Sequence, residues 1–171
     1  MKKSLTLTGM MGAGKSTIGK YLAKKLNYNF IDVDKLIEAK EGLSINSIFK
    51  RKGESYFRKI ENETTLIQLK NSDCVIALGG GAFLNDIIRK TTKKSSVSFW
   101  LDVPVDELIK RLKKNKKRPL LDNKNIGENI RKIYFDRKKI YNEADYRVKC
   151  NSLKSDEIVD KILSIYENSR S

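Results

Sequence analysis

The sequence predicts an α/β fold in which a five-stranded parallel sheet lies between two layers of helices. Segments with the pattern of β-strands alternate five times with segments of helical periodicity along the 171 residues. Residues 74–78 form a continuous apolar run, which is typical of a strand buried on both faces of a sheet. We therefore expect one domain over residues 1–171, with three layers and right-handed crossovers.

The strands are expected where short apolar or alternating runs end in turn residues. In order, they cover residues 4–8, 30–33, 74–78, 97–101 and 146–149. The second of these runs ends at Asp34, and the third ends at three consecutive glycines.

The helices are expected where apolar residues recur at intervals of three and four. In order, they cover about residues 15–26, 36–41, 44–52, 55–69, 83–90, 104–112, 126–142 and 156–166. Gly42 and Gly53 end the second and third of these stretches. The segment between the sixth and seventh helices, residues 113–125, is rich in Lys and Asn without an apolar period, so we expect a mobile lid there.

The composition excludes several kinds of chemistry. The chain contains no histidine, which removes Ser-His and Cys-His nucleophiles and the usual zinc sites. Two cysteines do not form a disulfide framework, so we expect reduced thiols in the cytoplasm. No apolar run approaches the roughly 20 residues that span a bilayer, and the polar residues after Lys2 and Lys3 do not fit a signal peptide. No membrane partner is expected.

The formal net charge of +15 raises the alternative of a nucleic-acid-binding protein. Lysines are spread along the whole chain rather than gathered in one block, which is typical of a solvated basic surface. The Lys-rich segment 113–125 contains no aromatic residue on which bases would stack. We therefore expect no nucleic-acid partner, although a positive field suits ATP and an acidic small molecule.

A phosphate-binding motif follows the first strand. Residues 9–16, GMMGAGKS, match the P-loop pattern, and they lie between a predicted strand and a predicted helix as that motif requires. Backbone N–H groups of such a loop form a nest for anions, and the helix adds the positive end of its dipole. Lys15 is placed to reach the β- and γ-phosphates, and the Ser16 hydroxyl to bind Mg²⁺. The motif predicts nucleotide binding and phosphoryl transfer without naming the acceptor.

Further candidate residues follow the second and third strands. Asp32 and Asp34 end the second strand, at the sheet edge where ligands bind in open parallel sheets. Because residues two apart on a strand share a face, both carboxylates are expected in one cleft, one near Mg²⁺ and one near the acceptor hydroxyl. Gly79, Gly80 and Gly81 follow the third strand and suit a place where a ligand contacts backbone.

Arginines are the candidates for binding an acidic acceptor, because a guanidinium matches carboxylate and phosphate geometry. Arg58 lies three residues before Glu61 on a predicted helix, close enough for an ion pair that holds the guanidinium. Arg118 lies in the predicted lid and Arg137 on the following helix. Spacing alone does not separate these arginines from ordinary surface residues.

Taken together, the motifs resemble those of bacterial shikimate kinases over residues 5 to about 165. Beyond the P-loop, the pieces that carry the resemblance are FIDVD at 30–34, GE at 53–54, FRKIE at 57–61, GGGA at 79–82, RPLL at 118–121, and Arg137 with Tyr141. The resemblance implies the fold of P-loop kinases that resemble nucleoside monophosphate kinases, with a lid at about 113–125 and an acceptor-binding helical region at about 34–62. Residues 151–155, at the expected adenine-side loop, carry no distinctive signature.

For the acceptor, the resemblance implies that Asp34 holds the shikimate hydroxyls and that Arg58 and Arg137 bind the shikimate carboxylate. Backbone at Gly80 and Gly81 would contact the same molecule. Glu61 would brace Arg58.

For the nucleotide, the resemblance implies that ATP is bound by the loop and helix residues Gly12, Ala13, Gly14, Lys15, Ser16 and Thr17. Arg111 would lie near the adenine, and Arg118 would come down with the lid onto the transferring phosphate. Ser16 and Asp32 would serve Mg²⁺, and Lys15, Asp34 and Arg118 would be the catalytic residues.

The implied activity is ATP-dependent phosphorylation of the shikimate 3-hydroxyl in chorismate and aromatic amino acid biosynthesis, by a cytoplasmic monomer. The nearest alternative is another P-loop kinase for a small acceptor, such as gluconate or a nucleoside monophosphate. Such a kinase would share residues 9–16 and the lid, but it gives no reason for residues 79–81 together with Arg137.

Overall fold

A computed structural model describes residues 4–114 and 125–169. Its sheet has five parallel strands in the order β2-β3-β1-β4-β5. The strands are β1 (Ser4–Thr8), β2 (Asn29–Asp32), β3 (Cys74–Ala77), β4 (Ser96–Asp102) and β5 (Tyr146–Lys149). The predicted five-stranded parallel sheet is therefore confirmed, with boundaries that differ by one or two residues.

The helices lie between and after the strands. They are α1 (Lys15–Leu26), α2 (Val33–Glu41), α3 (Ile45–Gln68), α4 (Asp86–Ser95), α5 (Val105–Lys114), α6 (Ile126–Tyr141) and α7 (Ser155–Asn168), with a short 3-10 helix at Ala82–Leu84. Among the described residues, no helix is both long and apolar enough to cross a membrane.

Helices cover both faces of the sheet. Every residue of β1 and β3 is buried, although successive side chains of a strand point to opposite faces. Helix α1 packs on β3 and beside α7, whereas α4 packs on β4 and against α3. The strand order explains why α1 and α4 lie on opposite faces of the sheet. The chain runs from β1 outward to β2 in one direction, and from β3 back across β1 to β4 in the other. Because both crossovers are right-handed, their helices lie on opposite faces.

That reversal of direction places a crevice at the carboxyl ends of β1 and β3. The P-loop leaves the end of β1, and Gly79, Gly80 and Gly81 leave the end of β3, which is hydrogen-bonded to β1 along its length. The two motifs lie far apart in sequence but share this edge. The strand order therefore brings the predicted phosphate-binding and acceptor-binding residues together.

Helix α6 is fixed to the sheet by a buried carboxylate. Asp102, at the end of β4, accepts hydrogen bonds from Tyr134 Oη of α6 at 2.9 Å and from Arg147 of β5 at 2.6 and 2.9 Å. Burial and the bond to Asp102 raise the pKa of Tyr134 to about 12, so this phenol remains a donor at neutral pH. The attachment holds the helix that carries Arg137.

The prediction that Asp34 ends a strand is wrong. Strand β2 stops at Asp32, whose side chain accepts a hydrogen bond from Lys35 N and caps α2, and Asp34 lies in the first turn of that helix. The N-cap preference of aspartate stops the strand earlier than the apolar pattern predicts. The argument that both carboxylates share a strand face fails, yet both line the same cavity.

The predicted break at Gly53 is confirmed, because two helical segments meet at a kink there within the range given as α3. Gly53 has φ 82° and ψ 168°, a region of the backbone map that residues with a side chain rarely occupy. Helix α3 continues on both sides of this residue. Ser44 caps the start of α3 by accepting a hydrogen bond from Ser47 N, although the sequence provides only half of a capping box.

The predicted lid falls largely outside the described residues. Lys113 and Lys114 belong to α5, and the next described residue is Asn125.

We predict that Gly53→Ala lowers the free energy of unfolding by about 1–3 kcal/mol, because alanine cannot adopt this backbone conformation without strain. No atom lies within 4 Å of the added methyl group, so the effect comes from the backbone. The control is Gly127→Ala in α6, where the methyl group would lie 3.9 Å from Ile109 and helix propensity favours alanine by about 0.5–1 kcal/mol. Urea unfolding followed by circular dichroism measures both; an equal response of the two variants would contradict the prediction.

Candidate active site

A cavity of about 820 Å³ opens at the carboxyl ends of the central strands. Most of the residues predicted from the sequence to bind or react with the substrates line this cavity, among them Lys15, Ser16, Asp32, Asp34, Arg58 and Arg137. Thr17, Gly12, Gly14, Gly80, Gly81 and Arg111 also line it. The structure thus brings the two halves of the predicted site into one space.

The P-loop has the backbone geometry of an anion nest. Gly9, Gly12 and Gly14 all have positive φ, and Gly14 precedes the first turn of α1. Lys15 Nζ donates to the carbonyl oxygens of Gly9 and Met10 at 2.8 and 2.9 Å, which holds the ammonium group over the loop. Phosphate oxygens placed here meet backbone N–H groups, the helix dipole and the ammonium charge together.

Other residues predicted for the nucleotide lie beside this loop. Arg111 donates from Nη1 to the carbonyl of Gly12 at 3.2 Å and also pairs with Glu107. Ala13 is buried, and its N–H donates to Met10 O at 3.1 Å within the turn. Arg111 is therefore next to the phosphate loop, and its predicted place near the adenine stays a prediction.

Ser16 and Asp32 form the candidate magnesium site. Ser16 Oγ donates to Asp32 Oδ2 at 2.5 Å, so a hydroxyl and a carboxylate oxygen lie side by side at the cavity. Within residues 4–114 and 125–169, no group of three or more His, Cys, Asp or Glu is gathered to hold a metal. An oxygen pair of this kind suits Mg²⁺, which takes few protein ligands and completes its shell with phosphate and water.

The glycines after β3 are required by the side chains packed against them. A Cβ at Gly79 would lie 2.5 Å from Glu61 Oε1 and 2.7 Å from Asp34 Oδ1. A Cβ at Gly81 would lie 2.4 Å from Arg58 Nη1. Residues 79–81, called the glycine loop from here on, therefore let the carboxylates of Asp34 and Glu61 and the guanidinium of Arg58 approach the backbone together.

Arg58 is held by two carboxylates of its own helix. Glu61 accepts from Nη1 at 2.7 Å, and Glu54 from Nη2 at 3.3 Å. The Glu61 side chain is 2% exposed, whereas that of Glu54 is 66% exposed. Burial is the largest single influence and acts to lower the pKa of Arg58, but the charges and hydrogen bonds of Glu61 and Glu54 together outweigh it, so the pKa lies above its ordinary value. The guanidinium stays charged and fixed at the cavity wall.

Burial also has the largest influence on the pKa of Glu61. It raises the pKa of this carboxyl above its ordinary value, although Arg58 acts in the opposite direction. We therefore expect Glu61 to gain a proton at a higher pH than an exposed glutamate, and Arg58 then loses its counter-charge.

Arg137 reaches the same loop from α6. Its Nη1 donates to the carbonyl oxygen of Gly80 at 3.1 Å, next to the residue against which Arg58 packs. Two guanidinium groups from separate helices thus meet at neighbouring glycines. Arg118, predicted to act from the lid, lies outside the described residues.

The sequence-based prediction missed the apolar wall of the cavity. The rings of Phe49 and Phe57 lie 4.7 Å apart between centroids, and both line the cavity with Ile45 and Met11. The helical pattern identifies Phe49 only as a core position. That its ring lines the cavity depends on the tertiary fold, which periodicity does not reveal.

Comparison with known proteins agrees with this geometry. The family model described as shikimate kinase matches residues 11–167. A shikimate kinase of Sulfurihydrogenibium sp. is 41% identical over 162 residues, which cover 95% of this chain and 96% of that protein.

Solved structures extend the comparison. A shikimate kinase from Acinetobacter baumannii in complex with shikimate superimposes with a TM-score of 0.93 at 32% identity, over 98% of this chain and 94% of that chain. A gluconokinase from Sinorhizobium meliloti has a TM-score of 0.58 at 16% identity, covering 98% of this chain and 93% of that chain, so it shares the fold alone. The chain belongs to the shikimate kinase family.

Proposed function

We propose that this member of the shikimate kinase family transfers the γ-phosphoryl group of ATP to the 3-hydroxyl of shikimate, using the residues placed above. The observation that supports the proposal is the meeting of Arg58 and Arg137 at Gly81 and Gly80, in the cavity that also contains the P-loop. An acidic acceptor held there faces the phosphate-binding loop.

The acceptor is oriented by its carboxylate. Each charge-assisted hydrogen bond contributes about 1.5–3 kcal/mol, so two guanidinium groups distinguish an acid from a neutral analogue by orders of magnitude. The rings of Phe49 and Phe57 provide an apolar surface for the acceptor ring. A fixed carboxylate and a fixed ring leave one hydroxyl directed at the γ-phosphorus.

Asp34 acts on that hydroxyl. Its carboxylate lies against Gly79, one residue from the Gly80 carbonyl that Arg137 contacts. The hydroxyl oxygen attacks the γ-phosphorus, the bond from that phosphorus to the β–γ bridging oxygen breaks, and ADP leaves with the electron pair. Asp34 positions the hydroxyl and accepts its proton as the new bond forms.

The nucleotide is held by the P-loop N–H groups, the dipole of α1 and Lys15, and Arg111 lies beside the loop. Ser16 and Asp32 would hold Mg²⁺, which neutralises charge on the phosphate oxygens when it is bound. Lys15 supplies positive charge next to the transferring group.

The proposal places this enzyme in the cytoplasm. Its support is that Cys74 and Cys150 are buried and unbridged, as is usual for proteins of a reducing compartment.

The proposed function is tested by ADP release with shikimate, gluconate and AMP as acceptors. We expect turnover with shikimate, and turnover lower by at least about 100-fold with the other two, because gluconate lacks the ring and AMP lacks the carboxylate. Equal turnover with gluconate or AMP would contradict the proposed acceptor.

We predict that Glu61→Gln raises the KM for shikimate about tenfold at neutral pH, because the amide keeps the shape but not the charge that holds Arg58. The KM for ATP should change by less than about twofold. The control is Glu54→Gln, which removes the exposed partner of the same guanidinium and should have little effect.

Because the pKa of Glu61 is raised, we also expect the affinity for shikimate to depend on pH. As the pH falls into the weakly acidic range, the wild-type protein should lose shikimate affinity through protonation of Glu61. The Gln variant cannot lose this charge, so its KM should change less over the same range. Parallel pH profiles of the two proteins would contradict the assignment.

A further inference from the structure

Tyr141, the last residue of α6, connects that helix to the glycine loop. Its side chain is fully buried, and its ring lies 6.0 Å from that of Trp100. The phenol donates to the carbonyl oxygen of Gly80 at 2.5 Å, and Met10 Sδ lies 3.9 Å from the same hydroxyl. Burial raises the pKa of Tyr141, so the phenol remains a donor at neutral pH.

The Gly80 carbonyl therefore accepts two hydrogen bonds from one helix. Arg137 Nη1, one turn before Tyr141, is the second donor, at 3.1 Å. Two donors from different directions fix the carbonyl more firmly than one, because each limits the rotation that the other permits. Arg137 also has a proposed role towards the acceptor and interacts with the Tyr141 hydroxyl, whereas Tyr141 has no proposed contact with the acceptor.

Fixing this carbonyl also fixes the next N–H group. The peptide between Gly80 and Gly81 is planar and trans, so the Gly81 N–H points away from the Gly80 carbonyl. Glycine offers little resistance of its own to rotation of that plane. Gly81 is also the residue against which the Arg58 guanidinium packs. A rotation of this peptide would therefore disturb both the loop N–H and the place of Arg58.

A second contact attaches the 3-10 helix that follows the glycine loop to the residues after α6. Arg89 donates from Nη1 to the carbonyls of Phe83 and Leu84 at 2.9 and 2.8 Å. Its Nε lies 3.3 Å from Glu143, two residues after Tyr141. The backbone is thus attached near the end of α6 both before Gly81, at Gly80, and after it, at Phe83 and Leu84.

We propose that Tyr141 is a positioning residue for acceptor binding, acting through the Gly80 carbonyl on the Gly81 N–H and on Arg58. This inference rests on the proposed function, in which the acceptor is shikimate. Tyr141 does not line the cavity, so its effect reaches the acceptor through the groups it contacts, the Gly80 carbonyl first among them.

The test is Tyr141→Phe, which keeps the ring against Trp100 and removes only the donor. We expect the KM for shikimate to rise about tenfold, and the KM for ATP to change by less than about twofold. A residue with a merely structural role would shift both constants together or only lower the thermal stability. An unchanged KM for shikimate in an active Tyr141→Phe enzyme would overturn the proposal.

The matched control is Tyr166→Phe. Tyr166 is also fully buried, on α7, and its hydroxyl lies 3.3 Å from that of Tyr28 on the α1 side of the sheet. This variant removes a buried phenolic hydroxyl far from the glycine loop. We expect its kinetic constants to equal those of the wild-type protein, so a tenfold rise in its KM for shikimate would also count against a specific role for Tyr141.

A second measurement needs no turnover and separates the two proposals. The ¹H–¹⁵N resonance of Gly81 in the ligand-free protein should shift in Tyr141→Phe and remain in place in Tyr166→Phe. If the wild-type protein fails to phosphorylate shikimate, the proposed function is wrong, and the Gly81 resonance still decides whether Tyr141 orients this peptide. An unshifted resonance in Tyr141→Phe would refute the positioning role.

Discussion

The packing of charged side chains against a glycine backbone is the constraint on which the acceptor side of this site depends. Glu61 and Asp34 approach Gly79, and Arg58 approaches Gly81, at distances that leave no room for a Cβ. Burying such groups is costly unless opposite charges are paired, and the 2.7 Å contact between Arg58 and Glu61 provides that pairing. The buried pair leaves the outer face of the guanidinium available at the cavity wall.

The rest of the fold brings a second cation to this loop and a phosphate site beside it. Asp102 attaches α6 to β4 and β5, and Arg137 of α6 donates a hydrogen bond to the Gly80 carbonyl. The pairing of β1 with β3 sets the P-loop next to the glycine loop. Arg58 and Arg137 are therefore positioned by helices that pack against the rest of the fold, and the two loops by the paired strands that precede them, which is the preorganisation that tight binding needs.

Much of this arrangement follows from local sequence patterns. The P-loop and the five strands can be predicted from sequence because they depend on neighbouring residues: the spacing of glycines, the periodicity of apolar residues and continuous apolar runs. The position of Asp34 was mispredicted because the N-cap at Asp32 ends the strand. Two other features depend on residues that are distant in sequence, so the spacing of motifs does not predict them. They are the packing of side chains against the three glycines and the contact of Tyr141 with Gly80. The place of Arg118 stays a prediction, since it lies outside the described residues.

The central claim is that Arg58 and Arg137 together bind the carboxylate of the acceptor. It is tested most directly by calorimetric titration of shikimate and of ATP into Arg58→Ala, Arg137→Ala and the exposed control Arg51→Ala on the same helix as Arg58. We expect the first two variants to lose at least about tenfold in shikimate affinity and to keep their ATP affinity, while the control keeps both. Equal losses for both ligands, or full shikimate affinity in either of the first two variants, would contradict it.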